Sequence, residues 1–175
     1  MARRDMAMGV SLLRGSLALK GGESGDFRGS LVLAFMPNHE APEAHESESV
    51  LSALRAGLPG AVVLGLPADP APRHTSELLD LISPKGRYSD AAILTYDAHF
   101  RPAQEGLARL VEEFIPDYRV IAMRDPYDAA FFPSARGLGA AYGFSEGCAY
   151  AVARLLAGKS KARGGHPVEV IGLEI

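Results

Sequence analysis

The sequence predicts an α/β domain of three layers, doubly wound, in which helices cover both faces of a mostly parallel sheet of about five or six strands. Two observations predict it. Short apolar runs alternate along the chain with segments whose apolar residues recur at helical spacing. Residues 89–128 are one complete unit of this kind, with an apolar run at 90–96, a helical pattern at 101–114 and a second extended run at 119–124. Neighbouring parallel strands need such a crossover.

The remaining elements follow the same alternation. Residues 3–13 are predicted to form a helix, and a glycine-rich turn at 21–25 separates it from the first strand. The predicted strands are 30–36, 61–66, 90–96, 119–124, a short one at 138–142 and an edge strand at the C-terminus, 167–172. The first of the next four predicted helices carries Val50, Leu51 and Leu54 on one face. The others are 74–82, 101–114 and 145–156. In the helix 74–82 we expect Leu78, Leu79 and Ile82 to face inward.

Length and composition limit the class of protein. The 175 residues (1–175) predict a single domain. The net charge of −3, with basic residues spread along the chain, argues against a nucleic-acid partner. The single cysteine, Cys148, excludes an internal disulfide, and its place on the inward face of the last helix predicts a buried, inert thiol. No apolar run approaches the roughly 20 residues of a membrane span, so we expect a cytoplasmic protein with no membrane contact.

A ligand site in such a fold is expected at one edge of the sheet. In open α/β sheets ligands bind beyond the carboxyl ends of the strands, because the loops that follow the strands meet there. The loops that this rule selects are 37–48, 67–73, 97–102 and 125–128. No motif in the chain implies a cofactor.

Several segments together resemble a known family. Residues 90–96, the helix that carries Gln104, and the run 119–128, which ends in Arg-Asp-Pro-Tyr-Asp, resemble the second, α/β-sandwich domain of glycoside hydrolase family 3, particularly its β-N-acetylhexosaminidase branch. Residues 1–22 resemble the connection from that family's barrel into this domain. Three further segments match in the family's order, namely 140–146, 155–158 and 164–168. The last departs at His166, where a leucine is usual.

The resemblance implies an accessory role. Family 3 enzymes are retaining glycosidases whose nucleophilic aspartate lies in an N-terminal (β/α)₈ barrel of roughly 250 residues. Neither the barrel nor its Lys-His-Phe-Pro-Gly signature is in this sequence. The resemblance therefore implies a domain that packs on a barrel, in cis or in trans, and lines a sugar cleft. We expect the isolated chain to be inactive and assign no catalytic residue from the sequence.

One loop keeps a catalytic contribution open. In the β-glucosidase branch of the family, a glutamate from the second domain reaches the active site from a loop like 97–102. Here that loop has Asp97 and His99 but no glutamate. These two residues are the catalytic candidates, and the competing interpretation is a solvated turn whose Asp or His binds backbone.

A second motif suggests different chemistry. Residues 143–147 match the Gly-x-Ser-x-Gly nucleophile elbow of α/β-hydrolases and lie between a predicted strand and a predicted helix. A triad would need an acid and then a histidine after the serine, yet Glu146, inside the turn, is the only acid before His166. We therefore predict that Ser145 is the N-cap of the helix.

Two more loops contain polar residues that could bind a ligand or shape a turn. The acidic loop 37–48 contains His39 and His45, which are candidate metal ligands, but Pro42 interrupts any helix that could pair them. The alternative is a solvated loop. Asp125 and Asp128 follow a strand end, and we predict that Asp128 caps a short turn in a largely architectural segment.

A different class of function also remains. The chain could be a stand-alone carbohydrate-binding or protein-interaction module that uses the loops at the strand ends. An exposed apolar face or self-association would favour a domain of a larger protein, whereas a monomer that binds sugar would favour the module. Aromatic residues make up 7% of the chain and tryptophan is absent, which argues against a sugar-stacking platform.

Overall fold

A computed structural model describes residues 10–161 of the chain. In this part, a mixed sheet is built from six strands with the spatial order β1-β6-β5-β4-β2-β3. The strands are β1 (Ser11–Gly15), β2 (Ser30–Met36), β3 (Val62–Pro67), β4 (Asp90–Thr95), β5 (Tyr118–Ala122) and β6 (Gly137–Ala140). All neighbours are parallel except β1, which runs antiparallel to β6. The predicted α/β class with a mostly parallel sheet is confirmed.

Within residues 10–161, three α-helices connect parallel strands and a fourth follows β6. They are α1 (Ser47–Gly57), α2 (Pro72–Ile82), α3 (Pro102–Phe114) and α4 (Glu146–Leu156). Helix α1 packs on α4, and α2 contacts α3, so the helices form two pairs. The chain moves outward from β2 to β3, then returns past β2 to β4 and continues to β5 and β6. Because crossovers are right-handed, this reversal places α1 and α2 on opposite faces and makes β2 and β4 the topological switch point.

The beginning of the described chain corrects one prediction. Residues 3–13 were expected to be helical, but Ser11–Gly15 is a strand that pairs with β6, with Ser11 opposite Ala140. Leu13 is buried and Leu12 is 44% exposed, which is the alternation of an edge strand. The helix prediction is therefore wrong for residues 11–13. Their conformation is set by hydrogen bonds to β6, a strand distant in sequence. Residues 3–9 of the predicted helix and the predicted edge strand 167–172 lie outside the described residues.

The core fills both sides of the central strands. Every residue of β2, β4 and β5 is buried, as expected of parallel strands covered on two faces. Leu78 and Ile82 of α2 are buried as predicted, but Leu79 is 39% exposed, so its predicted inward position is wrong. Helices α1 and α4 approach so closely that a Cβ on Gly57 would lie 2.5 Å from the Cβ of Ala153. Only glycine allows this packing without a shift of the helices.

A charged network holds the amino-terminal edge of the sheet. The buried carboxylate of Asp90 accepts from the hydroxyl of Ser30 and from the backbone N–H of Lys20, each at 2.6 Å. Asp117 pairs with Lys20 at 2.9 Å and with Arg119 at 3.0 Å. Burial acts to raise the pKa of Asp117, but its bond to Lys20 and the charge of Arg119 outweigh burial and hold that pKa below its usual value.

Candidate functional site

The loops after four parallel strands meet at the carboxyl edge of the sheet. Asn38, after β2, donates to Asp69, after β3, at 2.8 Å. Arg101, after β4, forms an ion pair with the same carboxylate of Asp69. Arg124, after β5, lies 3.0 Å from Asp97, after β4. The carboxyl edge therefore gathers polar residues from distant parts of the chain, around the switch point between β2 and β4.

A buried amide fixes two of these loops. Gln104 of α3 is completely buried, and its Oε1 accepts from the backbone N–H of Tyr96 at 3.1 Å. Its Nε2 donates to the carbonyls of Tyr96, at 2.8 Å, and Ala68, at 2.9 Å. The side chain thus uses one acceptor and both donors to join the end of β4 to the loop after β3. This role was not predicted from the sequence, and the one signal that could have indicated it is a polar residue at helical spacing from Leu107 and Val111.

Four side chains form a charged cluster at the switch point. The hydroxyl of Tyr96 donates to Glu43 at 3.1 Å, and the guanidinium of Arg124 lies above the Tyr96 ring. The same guanidinium contacts Asp97 at 3.0 Å and Glu43 at 3.8 Å. Burial raises the pKa of Asp97, and the charge of Arg124 only partly opposes this effect. Asp97 also has a φ of 50°, a left-handed conformation that starts the turn Ala98–Phe100.

A second group lies beside the cluster and centres on a histidine. The ring Nδ1 of His99 lies 2.7 Å from Oδ1 of Asp128, and the backbone N–H of His99 donates to the same oxygen at 3.1 Å. The other oxygen of Asp128 accepts from the hydroxyl of Thr95 at 2.7 Å. The second ring nitrogen, Nε2, faces Asp125 at 3.7 Å. The loop therefore presents an imidazole held from behind by a buried carboxylate.

The two acids of the segment after β5 have different roles from those the sequence predicts. Asp125, not Asp128, caps the turn Pro126–Phe131, by accepting from the backbone N–H of Tyr127 at 3.0 Å. Asp128 is fully buried and binds Thr95 and His99 instead. The predicted cap is wrong because Asp128 lies on the inner side of the turn, where β4 and its loop provide the donors.

The other candidates do not assemble into a site. His39 is exposed, and the Nδ1 of His45 lies 2.8 Å from the carbonyl oxygen of Pro42. Among residues 10–161, no group of three or more His, Cys, Asp or Glu side chains is arranged to hold a metal ion. Ser145 is the N-cap of α4 and accepts from the backbone N–H of Cys148 at 3.3 Å, as predicted. The Cys148 thiol is buried, also as predicted.

The surface around the carboxyl edge includes exposed aromatic rings. Phe100 is 78% exposed, and its ring packs against His99 with centroids 3.9 Å apart. Tyr127 is 45% exposed and follows β5. The edge thus combines apolar rings with carboxylates, two arginines and an imidazole.

Within the part of the chain that the structure describes, no helix has the length and hydropathy that a membrane crossing requires.

The fold is shared with solved glycosidases. The structure of a glycoside hydrolase family 3 β-N-acetylglucosaminidase from Paenibacillus sp. str. FPU-7 superposes with a TM-score of 0.70 at 20% identity, over 89% of this chain and 29% of that chain. A fungal multi-domain family 3 β-N-acetylglucosaminidase gives 0.70 at 17% identity, over 95% of this chain and 18% of that one. This chain has the fold of one domain of these enzymes. The β-glucoside phosphorylase BglX gives 0.60 at 15% identity, over 94% of this chain and 30% of its own.

The similarity to these enzymes is one of fold over a single domain. No family model and no curated protein matches the sequence. The chain spans between 18% and 30% of the three solved structures, so most of each of those proteins has no counterpart here. The match nevertheless confirms the fold that the sequence resemblance predicts.

Proposed function

We propose that this chain is an accessory domain of a family 3 glycoside hydrolase of the β-N-acetylhexosaminidase type. In this proposal it packs on a (β/α)₈ barrel, in cis or in trans, and lines one side of the sugar cleft. The observation that carries it is the coverage of the structural match. Two family 3 β-N-acetylglucosaminidases match 89% and 95% of this chain, yet the chain covers only 29% and 18% of them.

The carboxyl edge supports a role in a polar cleft. Carboxylates and an arginine can bind sugar hydroxyls through strong, charge-assisted hydrogen bonds. Arg124 and Glu43 are part of the cluster there, and each keeps an exposed part of its side chain. Gln104 fixes the neighbouring loops after β3 and β4, so part of the edge offers a prearranged surface to a ligand or a partner.

The same edge supports inactivity of the chain by itself. A retaining glycosidase needs two groups about 5 to 5.5 Å apart on either side of the scissile bond, one as nucleophile and one as acid. Asp97 is committed to an ion pair with Arg124, and Asp128 is buried behind His99. Neither carboxylate is available to attack a sugar, so we propose that the nucleophile comes from the barrel.

The test compares the chain alone with the chain and a barrel. The purified chain, shown to be folded by circular dichroism, is assayed with a chromogenic N-acetyl-β-glucosaminide, and we expect no hydrolysis above the blank. The assay is repeated after co-expression with the family 3 barrel encoded by the same organism, and we expect a stable complex with activity. Activity of the chain alone that Asp97→Asn abolishes would refute the accessory role.

A stand-alone carbohydrate-binding module is the second candidate. Phe100 favours it, because an exposed ring beside polar groups is a surface on which a sugar can stack. Isothermal titration with N-acetylglucosamine oligomers separates the two candidates. Binding by the monomeric chain that Phe100→Ala removes would favour the module, whereas binding only in the presence of the barrel favours the accessory domain.

A further inference from the structure

We propose that the carboxyl edge of the sheet is the face that docks on the barrel, with the rings of Phe100 and Tyr127 as anchors and a basic surface of the barrel opposite them. The inference rests on the proposed function, which does not specify the contact face. It deepens that function by naming the face, its anchoring residues and the charge of the partner. The occupant of the edge is thus a folded domain whose facing side carries lysine or arginine residues and apolar pockets.

The first observation is the exposure of two aromatic rings at this edge. Phe100, after β4, is 78% exposed, and Tyr127, after β5, is 45% exposed. Since β4 and β5 are neighbours in the sheet, both rings lie beyond the ends of adjacent strands. An apolar ring left in water forgoes the favourable free energy of burial, and aromatic side chains are enriched in protein interfaces. The two rings therefore indicate a surface that a partner covers.

The second observation is that the main chain holds both rings in place. Asp97, with a φ of 50°, starts the turn that ends at Phe100, whose backbone N–H donates to the Asp97 carbonyl at 3.1 Å. The Phe100 ring packs against His99. At Tyr127, the backbone N–H donates to the carboxylate of Asp125 at 3.0 Å. Binding costs less conformational entropy when a loop is fixed beforehand, so both rings are suited to anchor a partner.

The third observation is the charge of the edge. The loops that follow β2, β3, β4 and β5 there are 37–46, 68–71, 96–101 and 123–128. Together they contain seven aspartate or glutamate residues and two arginines, a formal charge of −5, whereas the whole chain carries −3. Both arginines, Arg101 and Arg124, are themselves paired with carboxylates of the edge. The negative charge of the protein is thus concentrated at this edge, and the surface that complements it is basic.

The fourth observation is the place where the chain enters the domain. Strand β1 is antiparallel to β6, and Ser11 lies opposite Ala140, the last residue of β6. Ser11 is therefore at the carboxyl edge, and β1 runs from there toward the amino-terminal edge. Nine residues precede Val10, and nine extended residues span at most about 30 Å. A barrel joined ahead of residue 1 would be tethered beside the carboxyl edge, and a tether raises the effective concentration of a partner at the nearest surface.

The test measures binding of the family 3 barrel encoded by the same organism to this chain and to ring variants. Biolayer interferometry gives Kd, kon and koff, and melting curves show that each variant is folded. We expect Phe100→Ala and Tyr127→Ala each to raise Kd by about 10-fold to 100-fold, mainly through koff. Phe114→Ala is the matched control, because Phe114 is 37% exposed but is the last residue of α3, at the opposite edge. It should change Kd by less than about twofold.

A charge reversal tests the sign of the partner surface. Glu40, exposed on the loop after β2, is replaced by lysine, and Glu40→Lys should lower kon by about threefold to tenfold and weaken its dependence on salt. Glu23→Lys makes the same change of charge at an exposed position before β2, at the opposite edge, and should change kon by less than about twofold. Equal effects of the two substitutions would mean that only the net charge matters and would overturn the proposed face.

A chemical label reads the contact face in the wild-type chain, without any variant. Carbodiimide coupling of an amine to Glu40, followed by mass spectrometry, should fall in the complex, whereas coupling to Glu23 should not change. Equal labelling of Glu40 in the free and the bound chain would contradict the proposed face. A stable complex whose Kd neither ring variant changes would overturn the inference and leave the accessory role standing. If the wild-type chain forms no complex with the barrel, the proposed function fails and the docking face fails with it.

Discussion

Replacement of Gln104 by alanine should destabilise the chain by about 3 to 5 kcal/mol. Gln104 makes three hydrogen bonds, to the N–H and carbonyl of Tyr96 and the carbonyl of Ala68, and none of its surface is exposed. Each net hydrogen bond contributes about 1 kcal/mol, and a buried backbone group that loses its partner costs about 1 to 3 kcal/mol. The three bonds alone reach about 3 kcal/mol, and the unpaired groups and the vacated volume account for the rest.

Urea denaturation followed by circular dichroism measures this loss, and thermal unfolding should show a decrease in Tm of at least about 6 °C. The matched control is Glu105→Gln, at the next position of the same helix, which removes only a surface ion pair with Arg109. That control should change the unfolding free energy by less than about 0.5 kcal/mol. A loss below about 1 kcal/mol for Gln104→Ala would refute the reasoning, because it would mean that water or other groups replace the amide.

Three other predictions concern packing, pH and the serine motif. Gly57→Ala should destabilise by about 1 to 3 kcal/mol because α1 and α4 must separate, whereas Gly106→Ala, with open space around its Cβ, should stabilise α3 by up to about 1 kcal/mol; urea midpoints decide both. The pKa of Asp117 lies below the unfolded value of 3.8, so its stabilisation is complete above that pH and is lost as pH falls through the lower native value. Acid titration should therefore unfold the wild type with a steeper pH dependence than Asp117→Asn, and identical curves would contradict the ion network. Ser145→Ala removes the N-cap of α4 and should lower the free energy of unfolding by about 1 kcal/mol, with any background hydrolysis of nitrophenyl esters unchanged. Loss of an ester hydrolysis in this variant would instead support the nucleophile-elbow interpretation.

The carboxyl edge has exposed rings that suit contact with a second domain. Its loops are fixed by buried hydrogen bonds, yet Phe100 and Tyr127 remain largely exposed at its rim. Rigid polar groups beside exposed rings are typical of surfaces that meet a ligand or another domain. A barrel packed against this edge, as proposed, would cover the two rings.

The fold could be predicted from the sequence because its signal is local. The central strands β2, β4 and β5 are buried on both faces, so they are continuous apolar runs that can be identified without knowledge of their neighbours. The edge strand β1 could not be predicted in this way. Its residues are shared between core and solvent, and its conformation depends on pairing with β6, far along the chain.

The candidate site shows the same division. The amino-acid sequence by itself determined that polar loops would follow the strands and that Asp97 and His99 would lie in one of them, because strand ends and loop composition are local properties. Only the tertiary structure decided that the side chain of Asp128 binds Thr95 and His99, 33 and 29 residues away, instead of capping its own turn. The parallel pairing of β4 with β5 brings those residues together. Because the Asp128 carboxylate is buried there, it needs hydrogen-bond partners, and the histidine is one of them. Such a pairing has no sequence signature, since it depends on which strands become neighbours.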